Sequence, residues 1–165
     1  MDTDKAKLVE SPTDAFLAHW ISYIDDSELL DWAESYARQN SDIDPESKLF
    51  QLLWLNRNTV SENAQLGQLI ESYALEFDPT FDVKSPSAES VARRFFESRL
   101  REYVSERCRP WDVCRMISPI EQLFDFPDWL GDMFNLCDWI EPGTMPVDCR
   151  HLEHGIREHL DQASE

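Results

Sequence analysis

Ser61-Glu62-Asn63-Ala64-Gln65-Leu66-Gly67-Gln68-Leu69-Ile70-Glu71-Ser72-Tyr73-Ala74-Leu75-Glu76-Phe77 is the stretch that decides the fold class. Leu66, Leu69, Ile70, Tyr73, Ala74 and Phe77 follow one another by steps of 3, 1, 3, 1 and 3. That spacing places all six on one stripe of a 3.6-residue helix and none of it fits the period of two that a strand needs. The polar positions fall on the opposite side. The segment therefore reads as an amphipathic helix opened by Ser61 or a neighbour, with its apolar face toward a core.

The same pattern extends outward in both directions. Ser11-Pro12-Thr13-Asp14 combines a capping serine, a proline at the first helical position and an acid in the first turn, which predicts a helix to about Ile24. Asp26 or Ser27 caps a second, with Leu29, Leu30, Ala33, Tyr36 and Ala37 at helical spacing. Asp44-Pro45-Glu46 opens a third, apolar nearly all round at Leu49, Phe50, Leu52, Leu53, Trp54 and Leu55, and so is expected to be the central, most buried helix. Residues 78–86 form a polar loop. A long helix then runs from Pro86 or Ser87 to about Arg107 over the stripe Ala92, Phe95, Phe96, Leu100, Tyr103 and Val104. Glu89 with Arg93, and Glu97 with Arg101, sit one turn apart and can pair on its surface. Pro110 starts a short helix, Ser118-Pro119-Ile120-Glu121 is a capping box, Trp129 to Trp139 reads as a helix, and a last one covers about Val147 to Leu160. Four glycines and the lack of sustained alternation leave no room for a sheet. The expectation is an all-α fold: one domain over residues 1–165, an irregular bundle of seven to nine helices, with 1–10 and 161–165 flexible.

Composition limits function. The net charge is −18, unevenly spread: residues 85–117 carry 7 basic and 5 acidic groups, whereas 118–165 carry 2 and 11. Such a surface repels nucleic-acid phosphates and anionic lipid, and attracts basic proteins. The seven arginines from Arg93 to Arg115 read as a solvated face or as neutralisers of nearby acids. No apolar run approaches the roughly 18–20 residues of a membrane span, and the polar start has no export pattern. From that absence the expected location is cytoplasmic, with Cys108, Cys114, Cys137 and Cys149 as free, mostly buried thiols.

Catalytic and metal signatures are missing. There is no C-x-x-C, H-E-x-x-H, G-x-S-x-G or glycine-rich phosphate loop. Cys149, His151 and His154, with Asp148 nearby, form the densest set of ligand-type residues, without a matching second set; no metal and no cofactor are expected, and the chain is read as not an enzyme. What stands out is Asp125, Asp128, Trp129, Asp132, Asp138 and Glu141, interleaved with Phe126 and Trp139. Asp128 and Asp132, four apart, are expected on one helix face. One carboxylate of such a set would serve as a catalytic acid only if burial raised its pKa. Acids around aromatic anchors match better the make-up of a hot spot for a basic protein partner.

Trp111-Asp112-Val113-Cys114-Arg115-Met116-Ile117, followed by Phe126-Pro127-Asp128-Trp129-Leu130-Gly131-Asp132-Met133-Phe134-Asn135-Leu136-Cys137-Asp138-Trp139, resembles the C-terminal part of bacterial immunity proteins of polymorphic-toxin and contact-dependent inhibition systems. The shared run is P-x-x-L-G-D-hydrophobic-x-N-x-C-D-W, within residues 110–140. In it Gly131 is expected to permit close helix packing, and Asn135 and Asp138 to cap or bridge helices. The resemblance implies a bacterial cytoplasmic protein without catalysis that binds one toxin domain and blocks its active site. Many such toxins are nucleases with basic clefts, which an acidic inhibitor suits. The other readings are a nucleic-acid mimic or other acidic regulator of a basic protein, and an enzyme of unrecognised type.

Overall fold

Side-chain caps mark the helix starts at Pro12, Asp26 and Pro86 in the computed structural model, which describes residues 7–40, 42–55 and 63–162. The fold is all-α, within the seven to nine helices expected, with no strand among the described residues. The chain divides into two compact units, 1–20 with 24–83, and 21–23 with 84–165. Ser61 and the tail 163–165 lie outside the described residues.

In the first unit, α1 (Pro12–Trp20) begins where Ser11 Oγ accepts from the Asp14 amide at 3.1 Å and the Asp14 carboxylate accepts from the Ser11 amide at 3.2 Å. It ends four residues before the expected Ile24, ahead of Ser22, which sits at φ 60° and turns the chain. α2 (Asp26–Gln39) is capped by Asp25, one residue earlier than predicted, in a full capping box with Glu28. His19 and Asp26 meet at 2.8 Å and pin α1 to α2. α4 (Asn63–Phe77) buries Leu66, Ile70, Tyr73 and Ala74 as its spacing predicts, but Phe77, last on the stripe, is exposed.

α3 (Lys48–Leu53) corrects a prediction. It spans six residues, buries Leu49 and Leu52, and leaves Trp54 87% exposed, so it is not the central helix. A run that is apolar all round carries no phase, and only contacts made elsewhere in the fold decide which face is covered.

The longest described helix, α5 (Pro86–Val104), belongs to the second unit, starts at the expected Pro86 and is capped by Ser85, whose Oγ accepts from the Ala88 amide at 3.2 Å. Ala92, Phe95, Phe96 and Leu100 are fully enclosed. Along its surface Glu97 pairs with both Arg93 and Arg101, at 2.9 and 3.2 Å, while Glu89 accepts from the Trp129 indole at 2.9 Å. After α6 (Pro110–Cys114), α7 (Ile117–Phe124) starts at a Met116 cap that makes no side-chain bond, so the capping box predicted at Ser118 is not the start. Asp125 and Phe126 then take positive φ, 53° and 58°, and stop the helix.

The predicted Trp129–Trp139 helix is also broken. A single 3-10 turn, Asp128–Leu130, ends at Gly131 (φ 57°, ψ −135°), a backbone state that favours glycine, and α8 (Met133–Cys137) follows. Gly131 is therefore needed for its conformation; a Cβ there would meet nothing closer than His159 Nδ1 at 3.7 Å. The glycine that lets helices approach is Gly155, in α9 (Arg150–Gln162), where a Cβ would lie 2.3 Å from Leu136 Cδ1.

α9 also brings His159 edge-on to Phe96, with ring centroids 6.2 Å apart. Burial pushes the His159 pKa down; Glu97 acts against the shift and Arg93 with it. The unfolded chain thus binds the proton more readily than the fold does. This stabilising contribution is full above the ordinary histidine pKa of about 6.5 and is lost progressively as pH falls below it. His159→Phe is expected to flatten the fall in urea midpoint between about pH 7.5 and about pH 5.5; an unchanged slope would exclude His159 as its source.

Candidate functional site

Residues 125–147 of the second unit hold five carboxylates and no Lys, Arg or His. Asp125, Asp128, Asp132, Asp138 and Glu141 are all exposed. The Gly131 break places Asp128 in the 3-10 turn and Asp132 at the cap of α8, so they do not share a helix face as expected. The Asp132 carboxylate accepts a hydrogen bond from the Asn135 side chain, a bond within one turn that caps no backbone group. Asp138 is the C-terminal cap residue of α8. Glu141 enters a tight turn closed by its carbonyl and the Thr144 amide at 3.0 Å, with Gly143 at φ 99°.

The aromatic residues divide into two kinds. Trp129 is half-buried, its indole held by Glu89 and its ring 6.1 Å from Phe96. Phe126 is 70% exposed and Trp139 84%, and Phe134, Met145 and Val147 also face solvent. Large apolar side chains so exposed, within one short segment rimmed by acids, are what partner-binding surfaces display. The sequence reading names Trp129, set among the acids, and not Phe134, yet it is Phe134 that faces solvent.

Four cysteines resolve into one pair and two single thiols. Cys114 on α6 and Cys137 on α8 form a disulfide, Cα–Cα 5.3 Å, in place of the four free thiols expected. The link fastens α8, and with it Asp132, Phe134 and Asp138, to α6. Burial pushes the Cys108 thiol up to about 11 and also raises Cys149, whose Sγ donates to the Met145 carbonyl at 3.1 Å. Both shifts oppose formation of a nucleophilic thiolate. Glu121, buried on α7, is a carboxyl that burial pushes up, whereas the 125–141 acids are exposed.

His151 lies 3.3 Å from the Leu136 carbonyl and His154 3.4 Å from Glu158. Among the described residues no three His, Cys, Asp or Glu side chains converge on a point where a metal ion could sit. No helix among them is long and apolar enough to cross a membrane. No protein-family model, curated protein or solved structure matches the chain.

Proposed function

We propose that the chain is a protein-binding module whose 125–147 segment engages a basic protein, and that it acts as a bacterial immunity protein, neutralising a cognate toxin in the cytoplasm by direct binding. One observation carries the reading: Phe126, Phe134 and Trp139 are exposed on a segment that has five carboxylates and no positive charge. An exposed indole gains most by entering a partner's pocket, which is why tryptophan is enriched among hot-spot residues. The surrounding acids steer a basic partner and fix its orientation. The run from Pro127 to Trp139 that resembles the immunity proteins supplies the more specific half of the proposal.

The test uses charge reversals that the fold tolerates. Asp132 accepts from Asn135 and Asp125 holds a left-handed cap, so both are kept. Asp138 ends α8, where a cation suits the helix dipole, and Asp128 is exposed. Asp128→Lys with Asp138→Lys is expected to weaken binding to the basic protein retained by the immobilised chain from its own organism's lysate. The loss should be about tenfold or more at low salt, with the unfolding midpoint unchanged. Equal affinity of variant and parent would remove 125–147 as the binding surface.

A further inference from the structure

Four non-glycine residues among those described have positive φ: Ser22 (60°), Glu106 (58°), Asp125 (53°) and Phe126 (58°). Two of them end helices in the same way. At the end of α5 the Arg107 amide returns to the Glu102 carbonyl at 2.9 Å around Glu106, and at the end of α7 the Phe126 amide returns to the Glu121 carbonyl at 3.1 Å around Asp125. That hydrogen-bond pattern needs one left-handed residue. After Glu106 the chain leaves the region at once, since Arg107 is not among the four. After Asp125 it does not: Phe126 stays at positive φ although the helix is already closed.

Phe126 is a poor residue for that place. A short polar side chain such as that of Asp125 tolerates the left-handed region, whereas a bulky one there is a steric outlier. Pro127 follows at φ −65°, and its ring restricts the residue before it still further. Burial does not offset the strain. The Phe126 ring is 70% exposed, whereas an apolar residue one place beyond the left-handed cap ordinarily packs back on its helix. Glycine or asparagine would suit this backbone better. The other exposed rings of the segment, Phe134 and Trp139, are not at positive φ. Strain of this kind collects where a protein meets a ligand or a partner.

We infer that Phe126 is a preorganised anchor, held out from the fold at a cost in stability so that its ring enters an apolar pocket of the basic partner. The inference rests on the reading of 125–147 as the binding surface. What surrounds the ring sets the occupant: Asp125 and Asp128 flank it in sequence and the segment carries no positive charge, so the pocket that matches it has a basic rim. A residue whose backbone is already fixed by a left-handed turn and a proline loses less freedom on binding than one in a mobile loop.

Phe126→Asn, whose side chain tolerates the left-handed backbone, separates an anchor from a packing residue. Its urea midpoint is expected to rise above the parent's, while its affinity for the purified basic protein retained in the preceding test falls about tenfold or more. A packing role would lower both together. A midpoint no higher than the parent's would show that contacts of the ring with the fold offset its backbone strain, and unchanged affinity would show that it enters no pocket; either result overturns the inference. Asp128→Lys with Asp138→Lys, measured alongside, tells two failures apart. Affinity lost by the charge variant but kept by Phe126→Asn removes the anchor alone. Affinity kept by both, or no basic protein retained by the parent, removes the binding surface and the anchor with it.

Discussion

Arg99→Met is expected to destabilise the fold by about 3–5 kcal/mol, the cost of leaving a buried charge without its partner. Arg99 is 2% exposed and Glu102 4%, and their Nη1 and Oε2 atoms lie 2.6 Å apart. The second Arg99 nitrogen donates to the Tyr23 carbonyl, and the guanidinium lies 4.9 Å from the centre of the Tyr23 ring. The Tyr23 hydroxyl in turn reaches Ser98 Oγ at 3.2 Å and donates to Glu102 Oε1 at 3.5 Å. One side chain thus neutralises the buried acid and anchors residues 21–23 to α5. Methionine keeps most of the volume but strands the Glu102 carboxylate and the Tyr23 carbonyl. Small domains hold only about 5–15 kcal/mol in total, so the loss would show as a large drop in urea midpoint. Adding Glu102→Leu should recover most of it, because two apolar groups leave no orphaned charge. A loss below about 1 kcal/mol in the single variant would mean that the pair is hydrated in solution.

What could be read from sequence follows from how local each determinant is. Ser11-Pro12 and Ser85-Pro86 carry their helix starts in three or four residues, so these were legible, and Asp25 was missed by one position. The stripes of α4 and α5 repeat over enough turns to fix their buried faces. Gly131 was read as a packing residue within a helix, since a helical glycine costs only about 1 kcal/mol and a single one does not reveal a break. That reading put Asp128 and Asp132 on one face, which the Gly131 break separates. Trp129 and Trp139 show the remaining difficulty. They are the same residue type ten positions apart, yet Glu89 and Phe96, some forty positions earlier, enclose the first and leave the second in solvent. No nearby sequence encodes that difference. The segment's acidity was legible; which of its aromatic residues face outward was not.

Reducing the Cys114–Cys137 bond is expected to lower stability by about 3 kcal/mol. The bond spans 23 residues of sequence separation, and in the chain-entropy model closing a loop of that length removes about that much freedom from the unfolded chain. Within the loop lie α7, the positive-φ pair Asp125–Phe126 and the Gly131 break, none of them long helical structure. Much of the segment proposed to meet a partner is therefore positioned by the link as well as by its own helices. In the reducing cytosol where binding is proposed the pair would be dithiol and packing alone would position the segment, so the link contributes only under oxidising conditions. The measurement is urea unfolding of the chain with and without a dithiol reductant, alongside the Cys114→Ala, Cys137→Ala double variant. The double variant should match the reduced chain and ignore the reductant; Cys108 and Cys149, single and buried or half-buried, should contribute nothing to the difference. Identical midpoints for oxidised, reduced and variant chains would show that packing alone holds α8 in place. A loss of partner affinity accompanying the lower midpoint would instead make the redox state of this pair part of how the surface is presented.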